Sequence, residues 1–496
     1  MSLTLSPVTR HVPVISRRWT EALILAAALL ATTAYTLALR LNPDVAWLYV
    51  IAAKCLGGAV LYRDIVAVNA PFASISLMPA VLLQHATALP VPAAVTIYVS
   101  LLGLLSTLAC FWLIGRYKTP PISRAAMKAC VFAAIFLLPG IEFGEREHLF
   151  CILALPAMLA VPLRNADARL GRLASFALGF AAAMACNLKP PFAAVILAVE
   201  ISGLAMFGIK SLFTAATAGL LAAAALSALA YAFLFPLYVT AIMPWMIALY
   251  SAYNDTATTV REALLWGGTA LAMFLLWRTQ RGSELSALRH VLLAVAAAGL
   301  LVFLLQDKGW DYQAFIVAFC ASILAGMALH ASLRRPAASW AAGLVIAVLL
   351  ARGFAQFQAP DYVDYHFPHV KRLVATSPGS FLILTTAGTP AGRHIIETGH
   401  DWASRFPCLE MLPGIVSAAS AGRTSRWEAP FRAAMAEDLG HFAPPLIFVQ
   451  RDDLPGLPKN FDLLAWLMRD PRFASQWAHY HADGGADGHF AVFRRT

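Results

Sequence analysis

A chain of 496 residues that is 60% hydrophobic and only 13% charged carries about half the charge of an ordinary soluble domain, which has ~25%. Its mean hydropathy of +0.68 leaves the bilayer as the solvent for most of it. The net charge of +10 does not indicate a nucleic-acid partner, because Lys and Arg stand singly or in pairs between apolar runs, without the contiguous stripe such a surface needs.

In chain order, apolar runs predict about eleven membrane-spanning helices, near 20–40, 92–115, 125–140, 148–163, 173–187, 191–209, 212–235, 261–277, 290–305, 314–330 and 337–352. The first follows Arg10, Arg17 and Arg18 in the manner of a signal peptide, but the further spans behind it favour an uncleaved helix. The turns on one side hold sixteen basic residues, including Arg116, Lys118, Arg164, Lys210 and Arg289; those on the other hold eight, Arg40, Lys54, Arg63, Arg146, Lys189, Arg261, Lys308 and Arg352. Cytoplasmic loops retain Lys and Arg, so the N-terminus is expected inside and the C-terminus outside.

The expected architecture is therefore mostly α: a polytopic helical bundle over 1–353 in a bacterial inner membrane, then a soluble periplasmic α/β domain over 354–496. In that domain Phe381–Thr385 and Leu446–Gln450 read as strands and Phe461–Met468 as a helix. The first outer loop, 41–90, is too long for a simple turn. Its stretches Val45–Leu56 and Ala70–His85 are apolar but too short to span, and read as helices at the interface or packed on the bundle.

The seven cysteines include no CxxC or Cys/His pair at metal-ligand spacing. Most lie in apolar runs, where Cys acts as a small hydrophobe; only Cys55 and Cys408 fall on the oxidising side, where a bridge is conceivable. Acidic residues gather on the outer side: Asp44, Asp64, Glu142, Glu145, Glu147, Asp255, Asp307 and Asp311. Solvated loops would account for some of these, but Asp44, Glu147 and Asp307 lie beside span ends, where charges are rare unless they line a cavity. Glu200, in mid-span, is expected to find a structural partner.

The run Asn42-Pro43-Asp44-Val45-Ala46-Trp47, then Gly57-Gly58-Ala59-Val60-Leu61-Tyr62-Arg63-Asp64 and Asn69-Ala70-Pro71-Phe72, resembles the first outer loop of GT-C glycosyltransferases. These polytopic enzymes use polyprenyl-phosphate sugars; they include protein O-mannosyltransferases, lipid A aminoarabinose transferase and lipopolysaccharide-core galacturonosyltransferases. The resemblance extends to Phe143-Gly144-Glu145-Arg146-Glu147-His148-Leu149, Leu188-Lys189-Pro190 and Asp307-Lys308-Gly309-Trp310, over about two thirds of the chain. One departure stands out: Asn69-Ala70-Pro71 occupies a site where several relatives carry a Lys before the proline pair.

The resemblance implies an inverting transfer of sugar from a polyprenyl phosphate to a periplasmic glycolipid, polysaccharide or protein, with Asp44 as general base. A carboxylate can take the acceptor proton if a desolvated, acid-rich site raises its pKa; the plainer role for Asp44 is to cap the helix that follows. The lipid-phosphate leaving group gains charge as the bond breaks, and Arg146, Lys189, Lys308 and Arg63 are the candidate cations to hold it, against plain snorkelling to headgroups. Glu147, His148, Asp307, Tyr62 and Asp64 are candidate acceptor or sugar contacts. Glu147 and His148 with Asp44 offer a divalent metal a weak ligand set, which is not favoured.

In the tail, Asp361/Asp364/His366/His369 and His394/Glu397/His400 match no standard metal spacing and read as solvated surface. The competing reading, a transporter or flippase of a lipid-linked glycan, predicts inverted repeats or paired broken helices. No such symmetry is visible.

Overall fold

The computed structural model describes residues 17–38, 41–166, 170–277, 283–332, 340, 342–348, 367–420, 422, 425–486 and 488–496. Its helices, in order, are α1 (Arg17–Ala38), α2 (Pro43–Leu56), α3 (Val91–Ile114), α4 (Pro121–Phe136), α5 (Arg146–Ala160), α6 (Arg172–Ala185), α7 (Ala193–Phe207), α8 (Ala215–Leu229), α9 (Thr256–Leu276), α10 (Glu284–Gln306) and α11 (Phe315–Ser332).

Among the described residues, seven helices are long and apolar enough to cross a membrane, or eight if the bent pair α1 and α2 counts as one span. The chain is thus a multi-pass helical membrane protein, with fewer clear spans among its described residues than the eleven apolar runs. The difference has a length cause. At 1.5 Å per residue, α4 with 16 residues and α6 with 14 reach only about 24 and 21 Å, short of a ~30 Å hydrocarbon core. Half of the run 337–352 falls outside the described residues.

α2 begins where the sequence places it, but its axis turns 91° from that of α1. Asn42 starts it by accepting from the Asp44 and Val45 N–H groups, at 2.9 and 3.4 Å, with Pro43 at the first helical position. Every residue from Val45 to Ala52 is buried. α2 is therefore a packed helix on the bundle, followed by the short helices Pro71–Ile75 and Met78–Thr87.

Inside the bundle, α6 and α8 approach closely. A Cβ on Gly179 would lie 1.8 Å from the Ala216 carbonyl oxygen, and one on Gly219 would lie 2.1 Å from that of Phe176. Glu200 of α7 meets Arg164 in a two-pronged pair, Nη1–Oε2 2.9 Å and Nη2–Oε1 2.5 Å. Gly203, one turn on, leaves room for it: a Cβ there would lie 2.6 Å from Arg164 Nη1.

The C-terminal part carries a four-stranded sheet of β1 (Phe381–Leu384), β2 (Leu446–Gln450), β3 (Tyr480–Ala486) and β4 (Phe490–Arg495), in the order β1-β2-β4-β3. β1 and β2 run parallel, with Phe381 opposite Leu446, and the other pairs are antiparallel. The stretch 461–468 forms a short helix, Leu463–Leu467. One hydrophobic core fills the bundle. A second joins the sheet to residues of the membrane half, among them Trp47, Ile51, Leu61, Tyr62, Tyr238 and Leu249. Trp47 meets Trp402 edge to face, with ring centroids 6.2 Å apart.

Candidate active site

The start of α5, the end of α10 and the connecting stretches around Asn69, Lys189, Tyr250, Lys308 and Tyr312 surround a cavity of about 480 Å³ lined by those residues and Arg146 among others. Each cation arrives on a turn whose sequence suits the task.

In Phe143-Gly144-Glu145-Arg146-Glu147-His148, Gly144 turns the chain at φ +88°, a conformation open to glycine. Glu145 caps α5. Arg146 Nη2 lies 3.2 Å from Asp44 Oδ2, its Nε reaches Glu145 Oε2 at 3.3 Å, and its Nη1 donates to Asn69 Oδ1. One guanidinium thus joins Asn69 to both carboxylates. Asn69 holds this cation through its side-chain oxygen.

Lys189 sits on an extended residue between two short turns, a geometry favoured by Pro190 behind it. Its Nζ donates to Glu147 Oε1 at 2.8 Å, while Glu147 Oε2 is buried with no hydrogen-bond partner. Lys308 follows Asp307 at φ +51° and precedes Gly309 at φ +65°. A Cβ on Gly309 would lie 2.8 Å from Thr258 Cβ. The Lys308 Nζ donates to the Tyr250 carbonyl at 2.7 Å and to Asn254 Oδ1. The centroid of the Tyr312 ring lies 5.7 Å from the Arg146 guanidinium and 5.3 Å from Lys189 Nζ, so two cations converge on one aromatic ring.

The protonation pattern follows from burial and neighbours. Asp44 keeps 43% of its side chain accessible, yet desolvation by its surroundings, then the Glu145 charge, raise its carboxyl to about 7 against the opposing pull of Arg146. Burial also pushes Glu145 up, but Arg146 outweighs it by charge and hydrogen bonds and holds that carboxyl low. Burial, then Glu145 and Asp44, push Glu142 well up; it accepts from Asn42 Nδ2 at 3.0 Å. Desolvation lowers Lys189 and Lys308, opposed at Lys189 by Glu147 and at Lys308 by Asp307. The site therefore holds a carboxyl that changes charge near neutrality beside a carboxylate that stays ionised, with cations on the cavity wall.

Several residues singled out in the sequence lie elsewhere. Arg63 and Asp64 form an exposed pair, Nε–Oδ1 2.9 Å. Asp307 accepts from Thr256 Oγ1 at 2.8 Å and ends α10, and Asp255 caps α9. Tyr62 adopts φ +71° and donates to the Asn69 carbonyl at 2.6 Å, one step behind the cavity wall. His148 is buried, with Nδ1 accepting from the Gly144 N–H at 3.0 Å and Nε2 2.9 Å from the Ile135 carbonyl. Both ring nitrogens are thus engaged by backbone. Among the described residues no group of three or more His, Cys, Asp or Glu side chains is arranged to hold a metal ion.

The cap role weighed for Asp44 belongs to Asn42. Cys55 and Cys408 are free thiols. Asp361, Asp364 and His366 lie outside the described residues. Glu397 pairs with Lys371 and Arg393 at 2.8 and 2.6 Å, and His400 bonds the Thr398 and Ser377 carbonyls.

Two site residues carried no recognised signal in the sequence. Tyr312 follows the Asp307–Trp310 turn, where an aromatic next to a charged turn was a usable sign. Tyr250 had none, since it approaches the site only through tertiary packing. Comparison with family models, curated proteins and solved structures gives no match for this chain.

Proposed function

We propose that the protein is a membrane glycosyltransferase of GT-C type that moves a sugar from a polyprenyl phosphate to a cell-envelope acceptor outside the cytoplasm. The observation that carries this reading is the meeting of Arg146, Lys189 and Lys308 in one cavity, with Asp44 3.2 Å from Arg146. These cations come from three separate turns, and headgroup snorkelling would point them outward to the bilayer surface, not into a shared pocket. Cations fixed beside a departing phosphate stabilise the transition state more than the ground state. Asp44, with a carboxyl near 7, suits acceptance of the acceptor's hydroxyl proton. Apolar residues Met243, Met246, Ile247 and Leu305 form part of the wall; Ile247 and Leu305 are exposed on the bundle surface, a side suited to a lipid chain.

In this reading the charge asymmetry of the loops puts the N-terminus in the cytoplasm of a bacterial inner membrane and the C-terminal domain on the periplasmic side. The polar residues cluster at one face rather than midway, which favours transfer over transport.

The test is chemical. Lipid-linked sugars extracted from a deletion strain should show the unused donor accumulating, and the purified protein should consume that donor. No accumulation, together with no turnover of any polyprenyl-phosphate sugar by the purified protein, would remove the reading.

A further inference from the structure

Three cations line the cavity, but their charges are not equally matched. Arg146 stands against two carboxylates, Asp44 at 3.2 Å and Glu145 at 3.3 Å. Lys189 pairs with Glu147 at 2.8 Å. Lys308 meets neutral acceptors instead: its Nζ donates to the Tyr250 carbonyl at 2.7 Å and to Asn254 Oδ1. Asp307, its neighbour in the chain, turns its carboxylate to Thr256 Oγ1 at 2.8 Å. Among the described residues no carboxylate is paired with Lys308. An ammonium has three N–H donors, so one remains after those two bonds. The residue is buried, and a buried charge without a counter-charge is costly.

Lys308 also stands where the cavity wall changes character. Leu305 precedes it at the end of α10, and Ile247 precedes Tyr250 on the short helix Met243–Leu249. Both apolar side chains line the cavity and are exposed on the bundle surface. Arg146 and Lys189 belong instead with Tyr312, whose ring they share.

We propose that Lys308 alone of the three cations seats the phosphate of the lipid donor, with the apolar chain leaving past Leu305 and Ile247 and the sugar directed towards Arg146, Lys189 and Asp44. Inversion requires such a division. The acceptor oxygen bonds C1 from the face opposite the phosphate as the C1–O bond to phosphate breaks. The acceptor's proton goes to Asp44, and the bonding pair leaves on the lipid phosphate, which gains one negative charge. Base and leaving group therefore flank the sugar. Asp44 lies 3.2 Å from Arg146, so a phosphate on Arg146 would occupy the base's own side. Lys308 is the cation left for the far side, and its unmatched charge answers the charge the phosphate gains.

The inference rests on the glycosyltransferase reading for the order of chain, phosphate and sugar, and the experiment separates the two. Binding of farnesyl phosphate, farnesol and dihexanoylphosphatidylglycerol is measured on the purified full-length protein in detergent. The wild type should bind farnesyl phosphate at least about tenfold more tightly than farnesol. Lys308→Gln should abolish that preference and leave farnesol binding within about twofold of wild type. Asn254→Asp, which sets a carboxylate against Lys308 Nζ and leaves the lysine in place, should do the same; being nearly isosteric, it decides the matter if Lys308→Gln is not monodisperse. Arg146→Gln and Lys189→Gln should keep the preference, because farnesyl phosphate has no sugar for them to meet. Retention of the preference in Lys308→Gln and Asn254→Asp overturns the proposal and leaves the glycosyltransferase reading standing. A wild type with no preference for the phosphate also overturns it. A Lys308-dependent preference that dihexanoylphosphatidylglycerol shares, in a protein that turns over no polyprenyl-phosphate sugar, supports the phosphate seat and counts against the glycosyl-donor reading.

Discussion

Asn42 and Asp44 divide between them two roles that either could have filled. Both residue types cap helices well, but Asn42 takes the cap through its side-chain oxygen and uses its amide on Glu142. Asp44 is left facing Arg146. This division was not legible in the sequence, where Asn42-Pro43-Asp44 permits a helix start at either residue; register, fixed by Pro43 at the first helical position, decides it.

If Asp44 is the base, Asp44→Asn should lower transfer by about 10²–10⁴-fold with donor binding nearly unchanged, measured as kcat against KM. The sign of the pH dependence follows from its carboxyl near 7. The ionised form accepts the proton, so kcat/KM should climb about tenfold per pH unit below 7 and level off above. The Asn variant should lose that climb. At Arg146, Lys keeps the charge but cannot bond Asp44, Glu145 and Asn69 together. Arg146→Lys should therefore raise KM for the donor while leaving the protein folded by size-exclusion profile.

At the scale of elements, short separations carry the stability. α6 and α8 cross at Gly179 and Gly219 with no space for a methyl group, the small-residue packing by which membrane helices associate. Gly179→Ala should destabilise the protein by about 1–3 kcal/mol, visible as a lower thermal midpoint in detergent. The Arg164–Glu200 pair is largely buried, with 6% and 15% of the side chains accessible. Removing one partner strands the other charge in the bundle. Glu200→Ala should cost about 3–5 kcal/mol, and the double change Arg164→Leu with Glu200→Leu should recover much of it, in the same thermal assay.

The seven spans of clear length were legible because composition alone marks a helix in lipid. The turns Glu145–Glu147, Lys189–Pro190 and Lys308–Gly309 were legible because charge at a span end is rare. α4, α6 and the Arg63–Asp64 pair misled for a shared reason. An apolar or charged run shows what a segment tolerates; its length in space and its direction depend on neighbours far along the chain.

For the whole molecule, the charge asymmetry of the loops predicts the orientation. A cysteine placed at the exposed Asp453 in the C-terminal domain should be labelled by a membrane-impermeant reagent added outside intact spheroplasts. Labelling only after lysis would reverse the topology. The sheet itself was partly legible, because β1 and β2 are continuous apolar runs. β3 and β4, with Gly and charged residues, are strands only by pairing with each other and with β2.

The second hydrophobic core draws Trp47, Leu61 and Tyr62 from near the chain's beginning and Phe381, Leu446 and Phe490 from near its end. During synthesis the first of these emerge long before their partners exist. Until translation is nearly finished, Val66 of the loop that bears Asn69 lacks its partner, the Arg405 carbonyl. A ribosome-bound nascent protein would therefore reach the bilayer with its helices inserted but its second core unassembled, and would complete that core only once the last strands are made.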